Sequence, residues 1–358
     1  MTTKPLHPGQ TIGIVGGGQL GRMMALACAE LGFKCHIYCP EENAPASQVA
    51  HLTTCAAYDD LAALADFAAQ VDVVTYEFEN IPADSIAALT SSKPVAPPAQ
   101  ALKVSQDRLD EKTFIAALGI DVAAFYDITD IASLEAGLAQ TGGHGILKTR
   151  RFGYDGKGQW RLGPDSDLAQ VLDALDGQPA ILEALVDFER EVSLIVARDH
   201  AGTVSSYAPI ENVHKNHILH QSTLPAQLSH ELTQQATQIA ETLAAALDYI
   251  GVLAIETFVT SAGLIVNEIA PRVHNSGHLT QDACACGQFE QHIRAISGWP
   301  LGDTQAHSDA LMTNLLGDDV LAWESWAAQP ATRVHLYGKA EAKPGRKMGH
   351  VTQLKKPQ

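Results

Sequence analysis

The chain has 358 residues, a formal net charge of −17, 46% apolar residues and six cysteines. The length predicts two or three domains with a sizeable core. The acidic balance argues against a nucleic-acid partner, whose phosphates need a basic face. No stretch approaches the roughly 18 apolar residues of a membrane span, and Met1-Thr2-Thr3-Lys4-Pro5 leads into no apolar signal core, so no membrane partner and a cytoplasmic location are expected. The cysteines, at 28, 35, 39, 55, 284 and 286, include no Cys-x-x-Cys pair and read as free thiols.

To about residue 100 the pattern alternates strand and helix: Thr11–Val15, a helix from about Gln19 to Leu31, then strands Lys34–Tyr38 and Val71–Tyr76, a parallel α/β layer. Gly16-x-Gly18-x-x-Gly21 fits a phosphate-binding turn or a plain strand-to-helix turn. A nicotinamide site wants an acid at the end of the second strand, where Tyr38-Cys39-Pro40 stand instead. Glu77-Phe78-Glu79-Asn80 closes the Val71–Tyr76 strand, at the sheet edge where open α/β folds bind ligands. Pro94, Pro97 and Pro98 mark a linker.

From about 101 to 300, a helix is predicted over Ala101–Leu118, followed by strand Gly145–Lys148 and the loop Thr149-Arg150-Arg151-Phe152-Gly153-Tyr154-Asp155-Gly156-Lys157-Gly158, whose glycines and cations suit a flexible cover over phosphates. Eleven of the 24 basic residues lie in this region (148, 150, 151, 157, 161) and near the C-terminus (339, 343, 346, 347, 355, 356), two places where an acidic chain can draw small anions. Pro179–Leu185 reads as an apolar strand ending in Glu183-Ala184-Leu185-Val186, an edge able to pair with an adenine. His214-x-x-His217-x-x-His220 has metal-like spacing, but Pro209–Leu219 reads as one extended strand that scatters the rings over both faces. No metal is expected there, and His214 is kept as a polar contact.

Glu256 and Glu268 form the sharpest feature. Leu253–Thr260 and Leu264–Ile269 read as the arms of a hairpin around Ser261-Ala262-Gly263, and pairing Thr260 with Leu264 sets the two glutamates opposite each other. Carboxylates about 5 Å apart at Cβ repel, and a divalent cation with an oxygen ligand set, magnesium, removes the repulsion. Arg272 follows, placed to meet phosphate charge. The alternative is that one glutamate pairs with an arginine elsewhere. Beyond residue 300 come a Trp-containing helix, a strand at Arg333–Tyr337 and Lys343-Pro344-Gly345-Arg346-Lys347.

Five strings together resemble the 5-(carboxyamino)imidazole ribonucleotide synthase family of the ATP-grasp superfamily over nearly the whole chain: Gly16–Gly21, Tyr76–Asn80, Gly153–Trp160, Asn267–His278 and Pro344–Lys347. The resemblance implies an α/β chain with an ATP-grasp fold, an α+β clamp. Residues 1–100 would be a Rossmann-like pre-ATP-grasp domain, 101–300 the ATP-grasp domain with a lid at about 120–185, and 301–358 a small C-terminal domain. It implies ATP-dependent carboxylation of 5-aminoimidazole ribonucleotide by bicarbonate through carboxyphosphate, in purine synthesis, with Mg2+ as cofactor and a homodimer as the usual assembly. Another ATP-grasp carboxylate-amine ligase and a non-catalytic nucleotide-binding module are the alternatives.

By motif position, ATP would be held by Arg108, Lys148, Gly153, Tyr154, Asp155, Gly156, Lys157, Gly158, Gln159, Glu183, Ala184, Leu185, Val186, Glu191, His214, Asn267 and Glu268, and magnesium by Glu256 and Glu268. Many ATP-grasp enzymes carry a further Asn ligand two residues after the second glutamate; this chain has Ala270. Tyr154 and Asp155 are the candidates to orient and deprotonate the amine, with Arg272, His274 and Asn275 as the other catalytic candidates. The ribonucleotide would meet Gln19, Leu20, Glu77, Glu79, Tyr154, Asp155, Lys157, Arg272, His274, Asn275, Lys339, Arg346 and Lys347.

Overall fold

A computed structural model describes residues 4–153 and 156–355, so Tyr154, Asp155 and Lys356 lie outside the described residues. The N-terminal layer has strands β1 (Thr11–Val15), β2 (Lys34–Cys39), β3 (Leu52–Cys55) and β4 (Val73–Tyr76), all parallel in the order β3-β2-β1-β4. Helix Gln19–Glu30 follows β1, its apolar face buried through Leu20, Met23, Met24 and Ala27. One apolar core runs from this layer (Ile12, Met24, Ile37) into the central sheet (Ile195, Val252). His292 joins the two: its Nε2 lies 2.8 Å from Thr75 Oγ1, and its Nδ1 accepts from the Val252 N–H at 3.0 Å.

Residues 125–183 build a separate antiparallel sheet from β5 (Phe125–Ile128), β6 (Gly145–Thr149), β7 (Gln159–Leu162) and β8 (Ala180–Glu183), in the order β5-β8-β6-β7. It has its own core, with Ile128, Leu134, Leu147 and Leu182. The large sheet contains β9 (Arg190–Arg198), β10 (Val204–Ser206), β11 (Ile210–Lys215), β12 (Ile218–Leu224), β13 (Gly251–Thr260) and β14 (Gly263–Ala270). It also takes in β15 (Asp309–Leu316), β16 (Thr332–Leu336) and β17 (Lys347–Lys355). The C-terminal strands extend this sheet through the β12–β15 pairing. No helix among the described residues is long and apolar enough to cross a membrane.

Three local expectations change. Thr260 pairs with Gly263, not Leu264, because Ser261-Ala262 alone make the turn; a bulge between Glu256 and Thr257 then restores Glu256 opposite Glu268. Pro209–Leu219 is not one strand: Asn216 and His217 both take positive φ, 51° and 64°, and fold β11 and β12 into a hairpin with a two-residue turn. The helix over Ala101–Leu118 is broken into Ala99–Ser105 and Arg108–Ala117. Asp107 sits at the break in extended conformation, caps the second helix by accepting from the Leu109 N–H, and pairs with Arg150 from the far sheet at 2.8 Å.

Asp107 therefore serves two contacts that substitution separates. Asp107→Asn keeps a good cap but weakens the ion pair, whereas Asp107→Ala loses both, a cap alone being worth about 1 kcal/mol. Urea midpoints should fall in the order wild type, Asn, Ala; equal midpoints for Asn and Ala would show that the cap contributes nothing.

Candidate active site

The hairpin β13–β14 lays Glu256 and Glu268 side by side. Glu268 is met by Arg108, which begins the helix after the Asp107 cap, with Nη1 to Oε2 at 2.8 Å. The pairing with an arginine is thus real, yet it leaves the second carboxylate in place: Glu256 lies 3.4 Å from His274 Nε2. Burial pushes both carboxyls up. Arg108 overcomes this at Glu268 and holds it down to about 2, whereas Glu268 adds to burial at Glu256 and takes it up to about 7. Burial, with Arg272 and Lys347 nearby, drives His274 down to about 3, so its ring is neutral. The Ser276 hydroxyl lies 2.9 Å from Nδ1.

A buried polar network runs outward from Glu268. Lys148, on β6, reaches Glu183, on β8, at 2.9 Å, and Lys112 reaches the same oxygen at 3.4 Å. Lys112 also donates to the Asn267 carbonyl at 3.0 Å, and Glu111 accepts from the Ile269 N–H at 2.7 Å. Burial and Glu268 push Glu111 up to about 8. Glu111 and Lys112 escaped the sequence reading as site residues; they carry no motif, and only their burial on one face of the broken helix reveals them. Gln288 escaped it too: its side chain accepts from the His274 N–H at 2.9 Å and donates to the His274 carbonyl at 2.7 Å, fixing the loop that carries Asn275. Asn275 is buried, and neither its Oδ1 nor its Nδ2 has a partner among the described residues.

The other sequence candidates fall into smaller groups. Glu191 and His214 form an ion-pair contact at 2.6 Å that raises the histidine although burial lowers it. Arg272 meets Glu79 through two nitrogens, at 3.0 and 3.2 Å. Glu77 lies on the glycine turn and accepts from the N–H groups of Gly18 and of Gly21, the latter at 2.7 Å. A carboxylate of the chain itself thus accepts from two N–H groups at that helix N-terminus. Gln19 accepts from Lys339 Nζ at 2.5 Å, and the same ammonium donates to the Lys347 carbonyl at 2.6 Å; Leu20 is buried in the core.

Ala184, Leu185 and Val186 follow β8 half-buried, and Ala184 N–H bonds to the Ala124 carbonyl at 2.8 Å. In the glycine loop, the Gly153 carbonyl accepts from Arg108 at 3.5 Å, and Gly158 and Gln159 run into β7. A Cβ on Gly156, at φ 80°, would meet His217 Cβ at 2.7 Å, so the loop lies against the β11–β12 turn. Lys157 stands beside it. Arg346 is exposed, donating to the Glu341 carbonyl at 3.1 Å, and is not drawn into these groups.

Opposed carboxylates on a large antiparallel sheet, overlooked by a lysine and a glycine loop from a small separate sheet, define an enzyme of the ATP-grasp class, and residues 113–289 match the ATP-grasp domain. Residues 9–106 match the ribonucleotide synthetase preATP-grasp domain, and 310–358 the phosphoribosylaminoimidazole carboxylase C-terminal domain. The chain is 51% identical over 358 residues to the N5-carboxyaminoimidazole ribonucleotide synthase of Brucella melitensis biotype 1, covering 99% of each. It is similar to an ADP complex of N5-carboxyaminoimidazole ribonucleotide synthetase at 44% identity and TM-score 0.95, over 98% of this chain and 94% of that one. The Aspergillus clavatus synthase in complex with ADP and 5-aminoimidazole ribonucleotide is 30% identical with TM-score 0.90, over 97% and 94%. The chain belongs to the N5-carboxyaminoimidazole ribonucleotide synthase family of ATP-dependent ligases.

The carboxylate pair gives a pH signature in metal-free protein. Glu256 stands raised from 4.5 to about 7, so the native state keeps a proton that the unfolded chain gives up. Its contribution is present below about 4.5 and lost as pH rises through about 7. Glu268, lowered to about 2, contributes above 4.5 and loses that only in acid. Glu256→Gln should therefore gain thermal stability relative to wild type as pH goes from 5 to 8, measured by melting in EDTA. A constant difference across that range would show that Glu256 is not the protonated partner.

Proposed function

We propose that this chain joins bicarbonate to the amine of 5-aminoimidazole ribonucleotide at the expense of ATP, giving 5-(carboxyamino)imidazole ribonucleotide, ADP and phosphate through carboxyphosphate. The observation that carries the reading is the face-to-face pair Glu256 and Glu268 with Arg108 and Lys148 converging on it. The relative in complex with ADP and 5-aminoimidazole ribonucleotide supports the substrate pair.

The site suits magnesium: the two carboxylates supply oxygen ligands, and a hard cation would replace the proton favoured on Glu256. Magnesium, when bound, would neutralise phosphate charge as the γ-phosphoryl group transfers. Glu256 and Glu268 would hold it. Ala270, packed opposite Ala254, offers no further ligand atom.

ATP would enter between the small sheet and the large one. Lys148 and Arg108 would then turn from Glu183 and Glu268 towards phosphate oxygens, each positioned cation being worth roughly 3 kcal/mol of barrier. Glu183, Ala184, Leu185 and Val186 would line the adenine side, with Glu191, His214 and Asn267 completing the clamp. Glycines 153, 156 and 158 would let the loop, with Lys157 and Gln159, close over the phosphates and exclude water from carboxyphosphate. We read residues of about 120–185 as the moving unit, because the sheet at 125–183 has its own core.

Asn275 would orient bicarbonate, its buried amide having donors and an acceptor to spare. His274, neutral, would donate to Glu256 or substrate. Arg272, fixed by Glu79, would present charge at the acceptor side. Gln19 and Lys339, with Lys347, would face the ribonucleotide, Glu77 shaping the turn beneath Gln19 and Leu20; Arg346 would have to leave the Glu341 carbonyl to reach its phosphate. Tyr154 and Asp155 would handle the amine proton. The same reading includes a cytoplasmic homodimer.

ADP formation in bicarbonate buffer should rise sharply when 5-aminoimidazole ribonucleotide is added, with one carboxylated product per ADP. Acceptor-independent turnover would remove the ribonucleotide from the reading. Glu268→Gln should lower turnover at saturating magnesium by at least about a hundredfold with an unchanged circular dichroism spectrum; near-normal activity would displace the metal. Lys339→Ala should raise KM for the ribonucleotide far more than KM for ATP, and an equal rise in both would move the substrate phosphate elsewhere.

A further inference from the structure

We propose that Asp282, His335 and His350 form a binding site for a borderline divalent transition-metal ion of the Zn2+ type, separate from the carboxylate pair of the active site. β16 and β17 pair His335 directly with His350, so both imidazoles stand on one face of the sheet, stacked with centroids 4.5 Å apart. Helix Thr280–Ala283 brings Asp282 over them, its Oδ2 lying 2.9 Å from His335 Nε2. One ligand atom from each of the three residues falls within 4.8 Å of the others. Ligand atoms on one tetrahedral zinc ion, with bonds of about 2.0–2.1 Å, stand about 3.3 Å apart. The carboxylate and the His335 imidazole are near that spacing already, at 2.9 Å, and an ion would draw in the His350 imidazole from within 4.8 Å.

An independent feature points to a ligand. His350 is fully buried, yet its Nε2 has no hydrogen-bond partner among the described residues, a state that buried polar atoms rarely keep. Its Nδ1 lies 2.8 Å from the Tyr337 hydroxyl. With Nδ1–H donating to that oxygen, Nε2 presents a lone pair, the arrangement in which imidazoles bind metal ions. Burial keeps His350 well below the ordinary histidine range, hence neutral and able to ligate.

The Asp282 and His335 side chains remain 10% and 23% exposed, which leaves a path from solvent. Two imidazoles and one carboxylate suit zinc with water in the fourth position, whereas magnesium prefers oxygen alone. An ion here would tie the C-terminal strands to the helix that follows the Asn275 loop, and the proton on His335 Nε2 would leave as the metal takes its place.

The test uses the full chain carrying Cys55→Ser, which removes the exposed thiol, with saturating Mg2+ and ADP to fill the active site. Titration with Co2+ should give one equivalent of a visible ligand-field band without thiolate charge transfer, displaced by Zn2+, and Zn2+ should raise the melting temperature. His335→Ala, and the shape-keeping His335→Gln and Asp282→Asn, should each weaken the ion by at least about tenfold and remove the melting shift. Their turnover without Zn2+ should stay unchanged. Absence of a stoichiometric band, a band of thiolate character, or equal binding in the parent and all three variants would overturn the site.

Discussion

Two carboxylates held face to face are the constraint around which this molecule is organised. Left alone they would push the hairpin β13–β14 apart, and the chain meets that repulsion three ways: Arg108 takes one carboxylate, a proton is favoured on the other, and neutral His274 stands beside it. Each of these partners depends on something more distant. Arg108 is aimed by the break at Asp107, His274 by Gln288, and the strand beneath Glu268 by Glu111. Groups that neutralise the carboxylates are the groups that substrate charge and a metal would recruit, so the site is a balanced set of exchangeable contacts.

Much of this was legible in the sequence where short range decides the structure. The parallel layer and the cross-strand glutamate pair follow from alternation, turn residues and strand length. The pairing was reached by a different route from the one inferred, since a tighter turn shifts the register by one and a bulge shifts it back; both devices move a side chain between faces, and only their combination returns Glu268 to the side of Glu256. Glu111 and Lys112 were not legible, because their importance lies in contacts some 155 residues away in the chain. The hairpin inside Pro209–Leu219 was missed because Asn216-His217 lacks the glycine that usually announces such a turn.

The glycine turn after β1 shows how one local geometry serves unrelated ends. Its N–H groups would suit an anion from solution, but Glu77 at the end of β4 fills them from within the chain. The turn locks two strand ends together and presents Gln19 towards Lys339. A fingerprint describes a cradle, and the occupant is decided by the neighbouring strand.

The sheet at 125–183 closes its own apolar core, and polar contacts join it to the body: Arg150 with Asp107, Glu183 with Lys112, and Arg108 with the Gly153 carbonyl. Separation of two such bodies would break these ion pairs and hydrogen bonds. The equilibrium between open and closed forms would then answer to ionic strength through the ion pairs that join the two bodies.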